Sequence, residues 1–494
     1  MAGDGFADGS DESDDFAVPD KVAPQFVARR SHGRDARARA PRSRQGPWLP
    51  GADRRDPVAL LEEQAVTRDL DIVPLRYERM SASPFAFFRG AALLMAADLA
   101  TTPHTGITVQ LCGDAHLSNF GLFGTPERQL IFDMNDFDET FPGPFEWDVK
   151  RLATSFAVAG RHRGFSADEI RACVRASVRG YRSAMRRAAD AHVLDAWYDR
   201  FDAESARRRI RAERDRRRAD DETVARLDAT VKKARKRDRM RSFAKLVQVI
   251  DGQLRIIPKP PLVTPVEDLV PGVGTQLDEA GIMRELLATY QVTLPGDRHP
   301  ISEYRYRHMA RTVDGIGSVG TRAWVILLSG RDDSDPLLLQ AKTAQPSVLE
   351  RFLGAGEYES EGERVVRGQR LMQAASDIFL GWQRVTGPDG ITRDFYVRQL
   401  HDWKGGIDPD TMTPRGAALY ARICGETLAR GHARSGDRLE VAGYLGRGQS
   451  FEAAICAFAD TYADQNDRDY ATFRQALTAG RLPSMTATAP TESS

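Results

Sequence analysis

Gly113-Asp114-Ala115-His116-Leu117-Ser118-Asn119 is followed at residue 133 by an acidic run, Asp133-Met134-Asn135-Asp136-Phe137-Asp138-Glu139. An Asp five positions before an Asn, and then an Asp at a strand end, is the side-chain set that phosphoryl transfer requires. One carboxylate orients or deprotonates the acceptor hydroxyl. An amide and a second carboxylate hold the magnesium that bridges the nucleotide phosphates. This reading makes Asp114 the catalytic candidate and Asn119 and Asp136 the metal candidates.

The flanking sequence supplies the scaffold. Residues 107–111 alternate apolar and polar, as a strand does, and deliver Gly113-Asp114 at their end. Residues 120–123 and 130–132 read as a short hairpin with Gly124-Thr125-Pro126-Glu127 at the turn. Beyond the acidic run, Pro142-Gly143-Pro144 leads into Trp147-Asp148-Val149, and Val149, Leu152, Ala153, Phe156 and Ala157 share one helical face. With these motifs the chain resembles the aminoglycoside phosphotransferase and choline kinase branch of the protein-kinase-like superfamily. Those enzymes carry a G-D-x-H-x-x-N loop, a strand ending in a magnesium-binding Asp, a Gly/Pro turn and a helix opening on Asp-Leu-Ala. Asp148 lies twelve residues after Asp136, close to the family interval, which favours Asp136 over Asp133 as the ligand. By the resemblance, Asp148 is a structural acid that braces the loop. Residues 113–158 also resemble a bacterial family of unknown function defined by its conserved domain. His116 is expected to hydrogen-bond within the loop. A metallophosphoesterase would need a G-D-x-x-D and a G-N-H, and the sequence has neither. Asp133 and Asp138 are supporting acids of the same cluster. Upstream, Arg76, Arg79 and Arg89 are candidates either to clamp an anionic group or to pair with the chain's own acids.

A second block carries Gly315-Ile316-Gly317-Ser318-Val319-Gly320. A G-x-G-x-x-G alone is a weak signal. Here it precedes the β-prone run 323–328, a turn, and a second apolar run ending in Lys342, whereas a dinucleotide fingerprint opens a helix. A glycine-rich hairpin and a strand-borne lysine form the phosphate cover of kinases. Gly315, Gly317, Ser318, Gly320 and Lys342 are therefore the predicted ATP-binding residues. Glu363, near the start of a helix read over 363–382, is the candidate partner of the lysine, with Glu350 and Glu357 as alternatives. Residues 395–400 read as a strand, and His401-Asp402-Trp403-Lys404-Gly405 as the hinge meeting adenine. Kinases run glycine loop, lysine, hinge, catalytic loop; this chain places the catalytic loop about two hundred residues ahead of the lysine. The expected fold is α+β, protein-kinase-like and two-lobed, circularly permuted, with a helical insertion. Permutation is compatible with a parent fold whose termini lie close together.

The 494 residues include 70 Lys plus Arg and 70 Asp plus Glu, so net charge points to neither nucleic acid nor membrane as the main partner. Four cysteines without a C-x-x-C, and no apolar stretch of membrane-spanning length, predict a cytoplasmic protein. The expected organisation is a disordered arm over 1–45, a first large-lobe part over 46–299 and a small lobe over 300–403. A helical second large-lobe part over 404–485 and a tail over 486–494 complete it. The charge-dense stretch 203–245 reads as a solvated, salt-bridge-laced helix or helical hairpin; a nucleic-acid arm is the alternative, against which stand the interleaved acids and the lack of stacking aromatics. The expected function is ATP- and magnesium-dependent phosphotransfer to an unknown hydroxyl or amine acceptor. A nucleotide-binding pseudokinase and a nucleotidyl transferase on the same fold are the alternatives.

Overall fold

The computed structural model describes residues 23–215, 221–236, 239–269, 276–296, 298–313, 322–387, 390–400, 405–406 and 408–485. The architecture is mixed α+β. A six-stranded antiparallel sheet has the spatial order Gly381–Thr386, Thr392–Gln399, Pro336–Ala344, Ala323–Ser329, Arg305–Thr312, Val263–Pro265. Its central strand is apolar on both faces because both are covered. Leu337 and Leu339 face the cluster built on Tyr290 and Leu328. Leu338 faces the opposite cluster with Val247, Ile256 and Leu327. The sheet therefore recruits residues from 247–256, 263–265 and 283–294 as well, ahead of the boundary expected at 300.

The remaining chain is chiefly helical and shares one large core. Its spine is the pair Ala167–Asp190 and Pro414–Ser435. The first opens on a capping box, Ser166 with Glu169, and the second on a Thr413 cap followed by proline. The two backbones approach at Gly180 and Gly425, where a Cβ on either would strike a carbonyl of the other helix. Next to them lie the helix Phe145–His162 and the long Ser450–Thr478.

Two expectations change. Residues 1–22 and 486–494 lie outside the described residues, but 24–45 of the expected arm are structured. Pro24–Arg39 packs on Arg438–Leu445, where Arg37 Nε donates to the Tyr444 carbonyl at 2.9 Å and Arg42 Nη1 to that of Leu445 at 2.9 Å. The arginines that read as a solvated arm satisfy carbonyls left open at a helix C-terminus. The helix read over 363–382 ends early, as Glu361–Met372, and Trp382 lies in the edge strand. In the charge-dense stretch, Ala203–Asp215 and Asp221–Lys236 are helices joined by Arg207 to Asp228 at 2.6 Å. Among the described residues, no helix is long and apolar enough to cross a membrane.

Candidate active site

The strand Thr108–Leu111 pairs with Phe141–Pro144 and leads, through Cys112, to Gly113, whose φ of +84° suits glycine and turns the chain into the loop. Asp148, in the first turn of Phe145–His162, holds that turn. Its Oδ2 accepts the Cys112 amide at 2.7 Å and its Oδ1 the Gly113 amide at 3.0 Å. His432 Nε2 lies 3.1 Å from the same carboxylate, and Tyr181 Oη lies 2.8 Å from His432 Nδ1. With Asp148 as acceptor, Nε2 carries the proton and Nδ1 accepts from the tyrosine. Asp148 thus ties the loop to both spine helices.

Within the loop, Asp114 Oδ1 accepts from Arg151 Nε at 2.7 Å, and Arg151 Nη2 lies 2.7 Å from the same oxygen. The guanidinium also donates to the Phe88 carbonyl at 2.8 Å and sits over the Phe88 ring. Asp114 Oδ2 has His116 Nε2 at 3.8 Å. Burial raises the Asp114 pKa, with Arg151 acting against it. The result is a carboxylate with one oxygen anchored and the other available to a substrate proton. His116 is buried and uses Nδ1 to accept the Ser118 amide at 3.2 Å; burial pushes its pKa well down. Asn119 Nδ2 donates to the Asp114 carbonyl at 2.7 Å, leaving the side-chain oxygen as the group able to meet a metal.

Phe120–Gly124 and Leu130–Met134 form the expected hairpin and carry the acidic run. Its acids separate by environment. Asp133 is buried and takes the Ala374 amide at 3.0 Å and the Met134 amide at 2.9 Å, with Arg434 at 3.8 Å. Asp136 instead lines two adjoining cavities and accepts the Asp138 amide at 3.3 Å. Asp138 accepts from Tyr396 Oη and has Lys342 Nζ at 3.8 Å. Burial acts to raise the Asp138 pKa, but Lys342, Tyr396 and Arg398 outweigh it and the net direction is down. Glu139 takes the Val348 amide at 2.7 Å, and burial pushes its pKa up to about 7.

Lys342 lies in the strand Pro336–Ala344, opposite Tyr396 and Ala323 in the neighbouring strands. It lines the larger cavity, of about 870 Å³, together with Asn119, Asp136, Gln340 and Arg398. The size is that of a small-molecule site. Phe120, Phe123, Ile378 and Phe379 give it apolar wall. The smaller cavity, of about 60 Å³, is lined by Asp114, Asp136, Asp138, Glu139, Arg68 and Arg89. So Asp114, Asn119, Asp136 and Lys342 converge, with Asp136 on the boundary between the two spaces.

Glu363 is not the partner of the lysine. It sits in the first turn of Glu361–Met372, where its amide bonds the Ser360 cap and its carboxylate takes Arg367 Nε at 3.2 Å. The helix presents Gln369 and Gln373 to the larger cavity. The acid found beside the lysine is Asp138, with Lys342 Nζ 3.8 Å from its Oδ2. Of the three upstream arginines, Arg89 lines the smaller cavity, whereas Arg76 is fully buried and donates to Gln64 and to the Gly90 carbonyl, each at 2.8 Å. Gly315, Gly317, Ser318 and Gly320, and residues 401–404 of the hinge, lie outside the described residues. Sequence reading missed Arg151, Tyr396 and Arg398. Only Arg151 left a signal, lying one helical turn after Asp148 on the same face.

Asn119 and Asp136 fit magnesium, which takes one or two protein oxygens and completes its shell with phosphates and water. Among the described residues, no group of three or more His, Cys, Asp or Glu offers a protein-only metal cage. The family model for uncharacterized proteins conserved in bacteria (DUF2252) matches residues 68–476, so the chain belongs to that family. Neither a curated protein nor a solved structure matches it.

Proposed function

We propose that this protein is an ATP- and magnesium-dependent phosphotransferase on a circularly permuted, protein-kinase-like fold. The observation that carries the reading is that Lys342 and Asp136, 206 residues apart in sequence, line one cavity with Asn119. Chance association of a phosphate-type lysine with a metal-type Asp/Asn pair is a poor alternative, because each needs the other to hold one triphosphate. The sheet adds support. From Arg305–Thr312 onward the lysine lies on the third strand and a helix follows it, as in kinases.

In this reading Lys342 neutralises the α and β phosphates, and Asp138 with Tyr396 holds its ammonium in place. Asn119 and Asp136 would hold magnesium, which would supply neutralisation of the phosphate charge. Asp114 uses Oδ2 to orient the acceptor hydroxyl. The acceptor oxygen bonds to the γ-phosphorus while the bond from that phosphorus to the bridging oxygen breaks. ADP leaves with the electron pair, and the hydroxyl proton passes to Asp114. Arg151 keeps the carboxylate oriented throughout. Catalysis is positioning plus electrostatics, without a covalent intermediate.

The test is incubation with magnesium and ATP labelled at either the γ or the α position. Transfer of γ label with ADP release is expected. Transfer of α label would reassign the site to nucleotidyl transfer, and binding without transfer of either would make it a pseudokinase. Equal ATP affinity with and without magnesium, measured by calorimetry, would remove the Asn119–Asp136 assignment.

A further inference from the structure

Charge balance around the smaller cavity points to the class of acceptor. Each acid there has a charge partner or an amide. Asp114 is held by Arg151 at 2.7 Å, Asp138 by Lys342 and Tyr396, and Glu139 by the Val348 amide. Asp136 is the acid reserved for magnesium. Arg89 is different. Its Nε is buried without a hydrogen-bond partner, and it feels Asp114, Asp136 and the exposed Asp410 only as nearby charges. Burial outweighs those acids and lowers its pKa. Once Asp136 is committed to a cation, the guanidinium is left with less negative charge around it.

We propose that the smaller cavity receives the acceptor and that the acceptor carries an anionic group, a carboxylate or phosphate, bound by Arg89 while its hydroxyl meets Asp114. This rests on the phosphotransferase reading. Guanidinium presents paired N–H donors in a plane, matched to either group. The available volume, about 60 Å³, is a few times the roughly 10–15 Å³ that one water needs on the same measure. It has room for a small charged head. The larger cavity, across Asp136, remains for the nucleotide. A cationic acceptor would set its charge against Arg89.

The test uses full-length protein loaded with magnesium and a non-hydrolysable ATP analogue, titrated calorimetrically with glycolate and with its neutral counterpart, ethylene glycol. Glycolate is expected to bind saturably and ethylene glycol at least tenfold more weakly. Arg89→Gln should weaken glycolate at least tenfold while still taking up the analogue. Arg89→Lys, which keeps charge and loses the planar fork, should fall between and guards against a folding defect in the first variant. Equal binding of the two ligands, no glycolate binding to loaded protein, or unchanged glycolate affinity in both variants overturns the proposal. Failure to bind the analogue at all is a different result and removes the phosphotransferase reading beneath it.

Discussion

Asp148→Asn isolates the brace beneath the loop of residues 113–119. The native carboxylate accepts two backbone amides, at 2.7 and 3.0 Å, and His432 at 3.1 Å, in a site that is 1% exposed. An Asn side chain keeps one acceptor oxygen and turns an NH₂ group toward the other donors. One buried amide then lacks an acceptor, costing about 1–3 kcal/mol, and the bonds that survive lose charge assistance worth about 1 kcal/mol each. The total is about 2–5 kcal/mol, a large part of the roughly 5–15 kcal/mol that holds a typical protein folded. Urea unfolding followed by circular dichroism reads the loss, and hydrogen exchange at the Cys112 and Gly113 amides localises it. A change below about 0.5 kcal/mol, with both amides as protected as before, would refute the argument that these bonds hold the loop.

Further outcomes separate the acids. Asp136→Ala should abolish magnesium-dependent nucleotide affinity, whereas Asp133→Ala should lower stability by about 1–3 kcal/mol and leave the metal dependence intact; calorimetry and urea unfolding distinguish them. Asp138→Asn should raise the KM for ATP several-fold and Glu363→Gln should not, as steady-state kinetics will show; the reverse pattern would restore the helix glutamate as the partner of the lysine. Glu139 has its pKa raised by burial from 4.5 to about 7, so the folded state binds the extra proton between those values. Stability should therefore fall as pH rises through that window, with a slope approaching about 1.4 kcal/mol per unit, and Glu139→Gln should flatten the profile.

What was legible in the sequence follows from where the information lies. The loop, hairpin and helix of residues 107–162 are contiguous, so their order and intervals could be matched to the motifs of the kinase-like enzymes the chain resembles, and that resemblance singled out Asp114, Asn119, Asp136 and Asp148. Asp136 separated from Asp133 through its interval to Asp148, and the structure has Asp136 at the cavities and Asp133 tied to amides. Lys342 was legible from its strand. Its partner was not, because Glu363 and Asp138 are both acids at reasonable distances in sequence. Local forces, the Ser360 cap and Arg367 one turn on, hold Glu363 where it is, and only the fold brings Asp138 across. Arg89 carried no distinguishing pattern among its neighbours, since burial without a partner is a tertiary property. The Arg-rich segment 28–45 misread for the same reason: composition cannot see carbonyls contributed by residues four hundred positions later.

The brace also sets a timetable. Asp148 and His432 are 284 residues apart, and the helix bearing His432 follows the entire six-stranded sheet in the chain. On the ribosome, residues 108–162 emerge long before the partner that clamps their loop. Closing so long a span is entropically demanding, so the contact comes late in folding. A nascent or prematurely terminated chain can hold the acidic residues of the site, yet it lacks the rigid loop that aims Asp114. The loop reaches its clamped form only once the helix Pro414–Ser435, which carries His432, has been made.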